Sequence, residues 1–301
     1  MTISRAQLAK ELEPGLNALF GLEYDRYEDE AAEIFSAESS DRAFEEEVML
    51  SGFGTAPVKS EGSAINFDNA QETYTARYTM ETIALAFSIT EEAVEDNLYD
   101  KLATRYTRAL ARSMAQTRQI KGASVLNNAF LATSPIGDGA ALCSAAHPSL
   151  SGNQTNLLAT PADLNETSLE DILIQIAGFT DERGLKIAVR GTKLMIPKEL
   201  QFIAERIINS NLRPGTADND INAMKSMGML PEGAAVNHFF TDADAYFVKT
   251  DCPNGFKVFN RTPLTTGTEG DFDTGNLRFK ARERYAFGVS DWRCVFGTPG
   301  A

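Results

Sequence analysis

Cys143 and His147 stand four positions apart in "CSAAHP", a spacing that could place a thiol beside an imidazole as nucleophile and base, or bring two zinc ligands together. The chain has only two histidines and no second ligand pair at metal spacing, so neither chemistry is complete, and a loop histidine capping backbone is the simpler expectation. Two glycine-rich stretches, "GFGTAP" from Gly52 and "GDGAAL" from Gly137, each lack the third glycine of a dinucleotide loop and read as loops. "EGDFDTGN" carries Glu269, Asp271 and Asp273 but not the remaining ligands or the closing glutamate of a calcium loop, and reads as a solvated acidic turn. No catalytic residue, metal site or cofactor is expected from these fragments, and turnover is not.

What the elements must position is therefore something other than a reaction. The chain has 301 residues, 43% of them hydrophobic, enough for one large domain or two smaller ones. Its formal net charge is −14, which disfavours a tight, sequence-independent grip on nucleic acid, since that binding rests on clustered lysine and arginine. The three cysteines, Cys143, Cys252 and Cys294, are irregularly spaced and suit a reducing compartment rather than a disulfide framework. No apolar run of signal-peptide or membrane-spanning length occurs near the start, and no membrane partner is expected.

The segment "TYTARYTMETIALAFSIT", residues 73–90, reads as a long strand whose apolar face changes sides. Tyr74, Tyr78 and Met80 occupy even positions, and Ile83, Leu85, Phe87 and Ile89 odd ones, so the phase flips around Glu81 and Thr82. The two halves must bury against different partners. The expectation is that the inner half packs on the chain's own domain and the outer half on a neighbouring subunit. With the glycine- and serine-rich stretch before it, the outer half makes a long antiparallel excursion whose few apolar anchors are Val58, Ile65 and Phe67. A two-stranded ribbon alone is marginal in water and needs a partner surface.

Before the ribbon, residues 3–20 read as a short amphipathic helix interrupted near Pro14 and Gly15, and the acidic stretch up to Leu50 reads as helical in places. After it the period turns helical, with Val94, Leu98, Leu102, Tyr106, Leu110, Met114 and Thr117 recurring every three to four residues. Ser88 and Glu91 could form its capping box, and acids early with bases late suit the helix dipole. From about 165 to 255, helices alternate with strands, as in a compact α/β unit, and "NLRFKARERYAFGVSDWRCVFG" reads as strands returning to the first domain.

This succession of acidic arm, ribbon, long helix, α/β unit and returning strands resembles the major capsid protein of tailed bacteriophages with the HK97 fold. Local wording is similar too, as in "GTAPVKSEGSAINFDNAQETYTARYTMETIALAFSITEEAVEDNLYDK", "ARSMAQTRQIKGASVLNNAF", "MIPKELQFIAERI" and "RPGTADNDINAM". The resemblance covers nearly the whole chain and implies an α+β HK97-like capsid fold. Residues 1–50 would be the N-terminal arm and entry to the peripheral domain, 51–82 the E-loop hairpin and 83–164 the peripheral domain with its spine helix at 91–130. Residues 165–258 would be the axial domain, and 259–301 returning strands of the peripheral domain.

Further expectations follow from the resemblance. The chain would self-assemble into hexamers and pentamers of an icosahedral shell enclosing double-stranded DNA without specific binding, in the virion and, during assembly, in the host cytoplasm. Val58, Lys59, Ile65, Phe67, Tyr74, Arg77, Tyr78 and Met80 would make intersubunit contacts, and Leu98, Leu102, Tyr106, Leu110 and Met114 would line the spine helix. Some members crosslink neighbouring chains through a lysine and an asparagine; Lys59 would supply the lysine, with its asparagine and glutamate unidentified. Because the acidic arm follows Met1 within a few tens of residues, a separate scaffolding protein is expected, together with a portal and possible decoration proteins. The charge predicts that added salt promotes assembly of like-charged subunits. The alternatives are an encapsulin-like compartment with the same fold and a cytosolic α/β enzyme using Cys143 and His147.

Overall fold

The computed structural model describes residues 17–90, 92, 99–213, 220–271 and 275–301. After a helical segment at 17–24, a 3-10 turn at Glu30–Glu33 leads into strands β1 (Ser36–Ser39) and β2 (Phe44–Leu50). Strands β3 (Glu72–Thr79) and β4 (Glu81–Ile89) precede helix α1 (Tyr99–Asn127). Helix α2 (Glu166–Ala177), strand β5 (Gly191–Pro197), helices α3 (Gln201–Asn209) and α4 (Ala223–Met227), and strands β6 (Ala234–Asn237) and β7 (Tyr246–Thr250) form the middle of the chain. Two long strands, β8 (Phe256–Gly270) and β9 (Leu277–Val289), and the short β10 (Val295–Thr298) close it.

Among the described residues three sheets result, ordered β1-β8-β9-β4, β10-β7-β5-β6, and the isolated pair β2-β3. In the first, β4 lies antiparallel to β9 from Glu81↔Tyr285 to Ile89↔Leu277, and α1 lies across it. At 1.5 Å per residue the 29 residues of α1 span about 43 Å, comparable to the long strands beneath. Phe20, Ile89, Leu110, Ala111, Met114, Phe279 and Ala281 fill the space between helix and sheet. The second sheet carries its own core of Leu169, Ile172, Ile176, Leu194, Ile196, Tyr246 and Val248, with Trp292 and Phe296. Helix α2 begins in a reciprocal cap in which Asn165 Oδ1 accepts from Ser168 N and Ser168 Oγ from Asn165 N, satisfying two otherwise orphaned donors.

The phase flip is a change of sheet. The chain leaves the β2-β3 ribbon after Thr79 and enters the body sheet at Glu81, so each half keeps the alternation of its own sheet. The assignment of faces needs correction. Tyr78 and Met80 are buried with Ala76 against Phe259 and Ala286 of the same chain, and Tyr74 is half-buried, so this face of the outer half packs inward rather than on a neighbour. On the inner half Ile89 is buried while Leu85 is exposed. The reason is that the base of the ribbon lies against β9 and uses its apolar face there.

Other boundaries shift as well. The hairpin strands run from Phe44 to Leu50 and Glu72 to Thr79, so the ribbon starts before residue 51, the stretch read as partly helical contains β1 and β2, and 51–71 hold no strand. Strand β10 does not return to the first sheet: it pairs with β7 in the second. Of the helix stripe, Leu110 and Met114 are buried, whereas Tyr106 is 50% exposed, because a period of 3.6 rotates that position off a face set by Ala103, Thr107, Leu110 and Ala111. Leu98, Glu91 with its capping box, and the side chain of Leu102 lie outside the described residues.

Candidate assembly interface

The ribbon is fixed at its base and bare at its tip. At the base, Lys257 Nζ pairs with Glu38 at 3.1 Å and with Glu47, whose other carboxylate oxygen accepts from Ser290 Oγ. The Tyr78 hydroxyl bonds Ser290 Oγ, and its ring meets Phe259 edge-on with centroids 4.8 Å apart. Burial pushes the Tyr78 phenol well above its ordinary pKa, so it acts as a neutral hydrogen-bonding group. Gly288 on β9 makes room for that ring: a Cβ there would come within 2.6 Å of Tyr78 Cε1.

Further out, Asp68 ties the returning leg of the loop. Its carboxylate accepts from Gly54 N at 2.8 Å and from Arg183 at 3.2 Å, and Arg183 also donates to the Asn69 carbonyl. The backbone N–H groups of Gly54 and Asn69, with Arg183 adding to them, hold the Asp68 carboxyl below its usual range.

Beyond these anchors the apolar side chains stand in solvent. Val58 is 99% exposed, Phe67 97%, Ile65 69% and Phe53 62%. Phe44, Val48 and Leu50 on β2 are exposed too, and Arg77 stacks 4.1 Å over the Phe44 ring centroid while pairing with Glu46 at 3.7 Å. Lys59 is exposed in the loop. Large apolar groups clustered on one projection mark a surface that another molecule covers. Val58, Ile65 and Phe67 were legible as sparse anchors, whereas Phe53 and the β2 residues were not. "FEEEVML" lacks the clean alternation that signals a strand.

The structure brings neither a nucleophile nor a metal set together. Cys143 is buried, its Sγ lies close to Gly297 and Phe247 is packed in the same cluster, and burial pushes the thiol far from ionisation. His147 has no free nitrogen: Nδ1 meets Asp138 Oδ2 at 2.6 Å and Nε2 meets Asn156 Oδ1 at 3.0 Å, while the ring stacks on Trp292 at 4.4 Å. Asn156 Nδ2 donates to the carbonyls of Leu142, Trp292 and Val295, so this polar knot pins the 138–156 loop to the chain's end. The His147 ring therefore bonds side chains, not the backbone expected of a loop cap. Among the described residues no group of His, Cys, Asp and Glu could hold a metal ion. Neither glycine-rich stretch opens a helix, Asp271 pairs with Arg278 at 2.6 Å, and Asp273 lies outside the described residues. Among the described residues no helix is long and apolar enough to cross a membrane.

Comparison with known proteins agrees with this architecture. A family model described as phage capsid protein matches residues 73–297. Solved structures with a similar fold include the capsid of a native GTA particle, at 13% identity and TM-score 0.56 over 90% of each chain. The capsid of Myoviridae phage XM1 aligns at 12% identity and TM-score 0.55 over 89% of each chain. A virus-like particle from Pyrococcus furiosus aligns at 9% identity and TM-score 0.54, over 94% of this chain and 97% of its own. No curated protein sequence matches. At such identities the likeness concerns the fold, which is the HK97-like capsid fold. With the family model running from the ribbon's second strand almost to the last, this chain belongs to the phage capsid protein family.

Proposed function

We infer that this chain is the repeating subunit of a closed phage head, and that the ribbon of each copy is covered by the next. The observation that carries this reading is the exposure of Val58 and Phe67, at 99% and 97%, on a projection with no core of its own. In this reading residues 51–82 serve as the E-loop, 83–164 with α1 and residues 259–301 with β9 as the peripheral domain, and 165–258 as the axial domain near capsomer centres, with β10 joining the axial sheet. Copies would form hexamers and pentamers of an icosahedral shell around double-stranded DNA, assembling in the host cytoplasm with a scaffolding protein, a portal and decoration proteins as further partners. The net charge of −14 suits a wall that encloses DNA without immobilising it. An interface of about 1,600 Å² per contact is enough for a stable shell when repeated around closed capsomers.

Electron microscopy of the purified chain tests the reading. Closed particles containing DNA when made in infected cells are expected. Particles filled with a protein cargo would point to a compartment instead, and a persistent monomer at all concentrations would overturn the assembly reading. Light scattering across a salt series provides a second check: assembly is expected to improve toward 0.1 M salt, where the Debye length falls to about 10 Å and repulsion between acidic copies is screened.

A further inference from the structure

Strand β9 carries a second feature that the shell reading does not use. Its buried positions Phe279, Ala281, Glu283 and Tyr285 face α1, so the alternate positions Arg278, Lys280, Arg282 and Arg284 share the opposite face of the sheet. Their side chains follow one another every second residue, about 6.7 Å apart, in a row of about 20 Å. Cross-strand neighbours are small: Ala84 and Ala86 on β4 stand opposite Arg282 and Lys280, and Thr265 and Gly267 flank the same pair on β8. The face is open, with Lys280 and Arg282 exposed beside a shallow groove that Ala84, Ala86, Thr265 and Thr266 help to line.

Three of the four charges on this face are not neutralised among the described residues. Arg278 pairs with Asp271 at 2.6 Å, and Glu269 lies across from it on β8. Lys280, Arg282 and Arg284 have no carboxylate partner among the described residues, and Arg284 Nε is buried without a hydrogen-bond acceptor. What sets these three apart is that they follow one another on a single face in a chain with 42 acidic residues against 28 basic ones, so that one acidic segment laid along the face would meet all of them.

We propose that the row Arg278, Lys280, Arg282 and Arg284 is an electrostatic seat for the acidic ribbon of a second copy of this chain. The proposal rests on the ribbon reading above and adds to it the cationic groups that receive the ribbon. Ribbon residues 44–79 carry six carboxylates against two cations; Glu45, Glu46, Glu47 and Asp68 pair within the chain, and Glu61 and Glu72 are exposed with no ion-pair partner among the described residues. A cationic face and an acidic projection on the same molecule complement each other between copies, and the small side chains of β4 and β8 let the backbone of a ribbon approach closely. Charge complementarity of this kind fixes register and suppresses wrong partners more than it adds affinity. A nucleic-acid backbone would also match the row, but the acidity of the rest of the chain disfavours it.

Charge reversal in the full-length chain tests this. K280E/R282E is expected to raise the concentration threshold for particle formation at least tenfold, and K280A/R282A to raise it less. Both leave the thermal unfolding of unassembled protein unchanged, because the two side chains are exposed. Adding E61K/E72K to K280E/R282E is expected to restore assembly toward the wild-type threshold. Assembly of K280E/R282E at the wild-type threshold overturns the seat, and so does a loss that E61K/E72K does not repair. A variant that assembles normally but retains less DNA would assign the row to nucleic acid and also overturn it. Failure of this proposal is distinguishable from failure of the ribbon reading: truncating Val58 and Phe67 would still block assembly in the first case and would have no effect in the second.

Discussion

Replacing Val58 and Phe67 together by alanine separates a residue that holds this fold together from one that holds copies together. In the free chain both side chains are almost fully exposed, at 99% and 97%, so V58A/F67A removes no packing from the subunit. Its unfolding free energy is expected to stay within about 0.5 kcal/mol of wild type. On the proposed reading the same groups are covered in an assembled shell. The two truncations remove apolar groups worth about 0.8 kcal/mol per buried methylene, which gives about 2–4 kcal/mol per contact for partial to full burial. At 1.4 kcal/mol per factor of ten, the assembly constant for each contact falls roughly 30- to 700-fold. Light scattering against protein concentration reads the threshold, and circular dichroism of the dissociated chain reads its stability. Unchanged assembly, or a melting temperature that drops along with it, would refute the reasoning, because either result means these residues are not finished by another copy.

Three other outcomes follow from buried groups. Glu283 is buried beside Arg118, Tyr24 and Asp29; burial, opposed by Arg118, pushes its carboxyl up to about 7. A carboxyl raised in the folded state stabilises fully only below its unfolded pKa, and the contribution is lost as pH rises through about 7. E283Q is therefore expected to match wild type near pH 4.5 and to melt higher above pH 7.5, by up to about 3 kcal/mol of stability, and a pH-independent difference would contradict the assignment. G288A places a methyl against a Tyr78 ring already held by Phe259 and Ser290, so urea titration should show a loss of about 1–3 kcal/mol, and none if the ribbon base is free to shift. C143A is expected to cost about 1 kcal/mol in the same titration while particles still form, since the thiol is packing rather than chemistry; loss of a catalytic turnover with assembly intact would argue the opposite.

Much of this was legible in the sequence because it depends on local period and composition. The side-chain period along 73–90 revealed the flip, as alternation is a property of any strand wherever it lies. The apolar recurrence through Leu110 and Met114 marked α1, and the sparseness of Val58, Ile65 and Phe67 marked a projection without a core. The absence of complete ligand or nucleophile sets pointed away from catalysis, and the order of elements suggested a capsid subunit. All of these are statements about which residues lie near one another along the chain.

Tertiary structure decided what each face meets. Periodicity shows that Tyr78 and Met80 share a side, but only the approach of β3 to β9 buries them on Phe259 and Ala286 instead of on a neighbour. Likewise β10 looks like any short apolar strand, and its place beside β7 follows from the Asn156 and His147 knot that fastens the chain's end to a loop more than a hundred residues earlier. The row of cations on β9 is written plainly in "RFKARER", yet that Lys280, Arg282 and Arg284 lack carboxylate partners among the described residues becomes visible only when α1 covers the other face and β4 and β8 bring small neutral side chains to either side. Local sequence fixes the period of an element, whereas long-range packing chooses its partner, because the energy of burial depends on contacts that no neighbouring residue can specify.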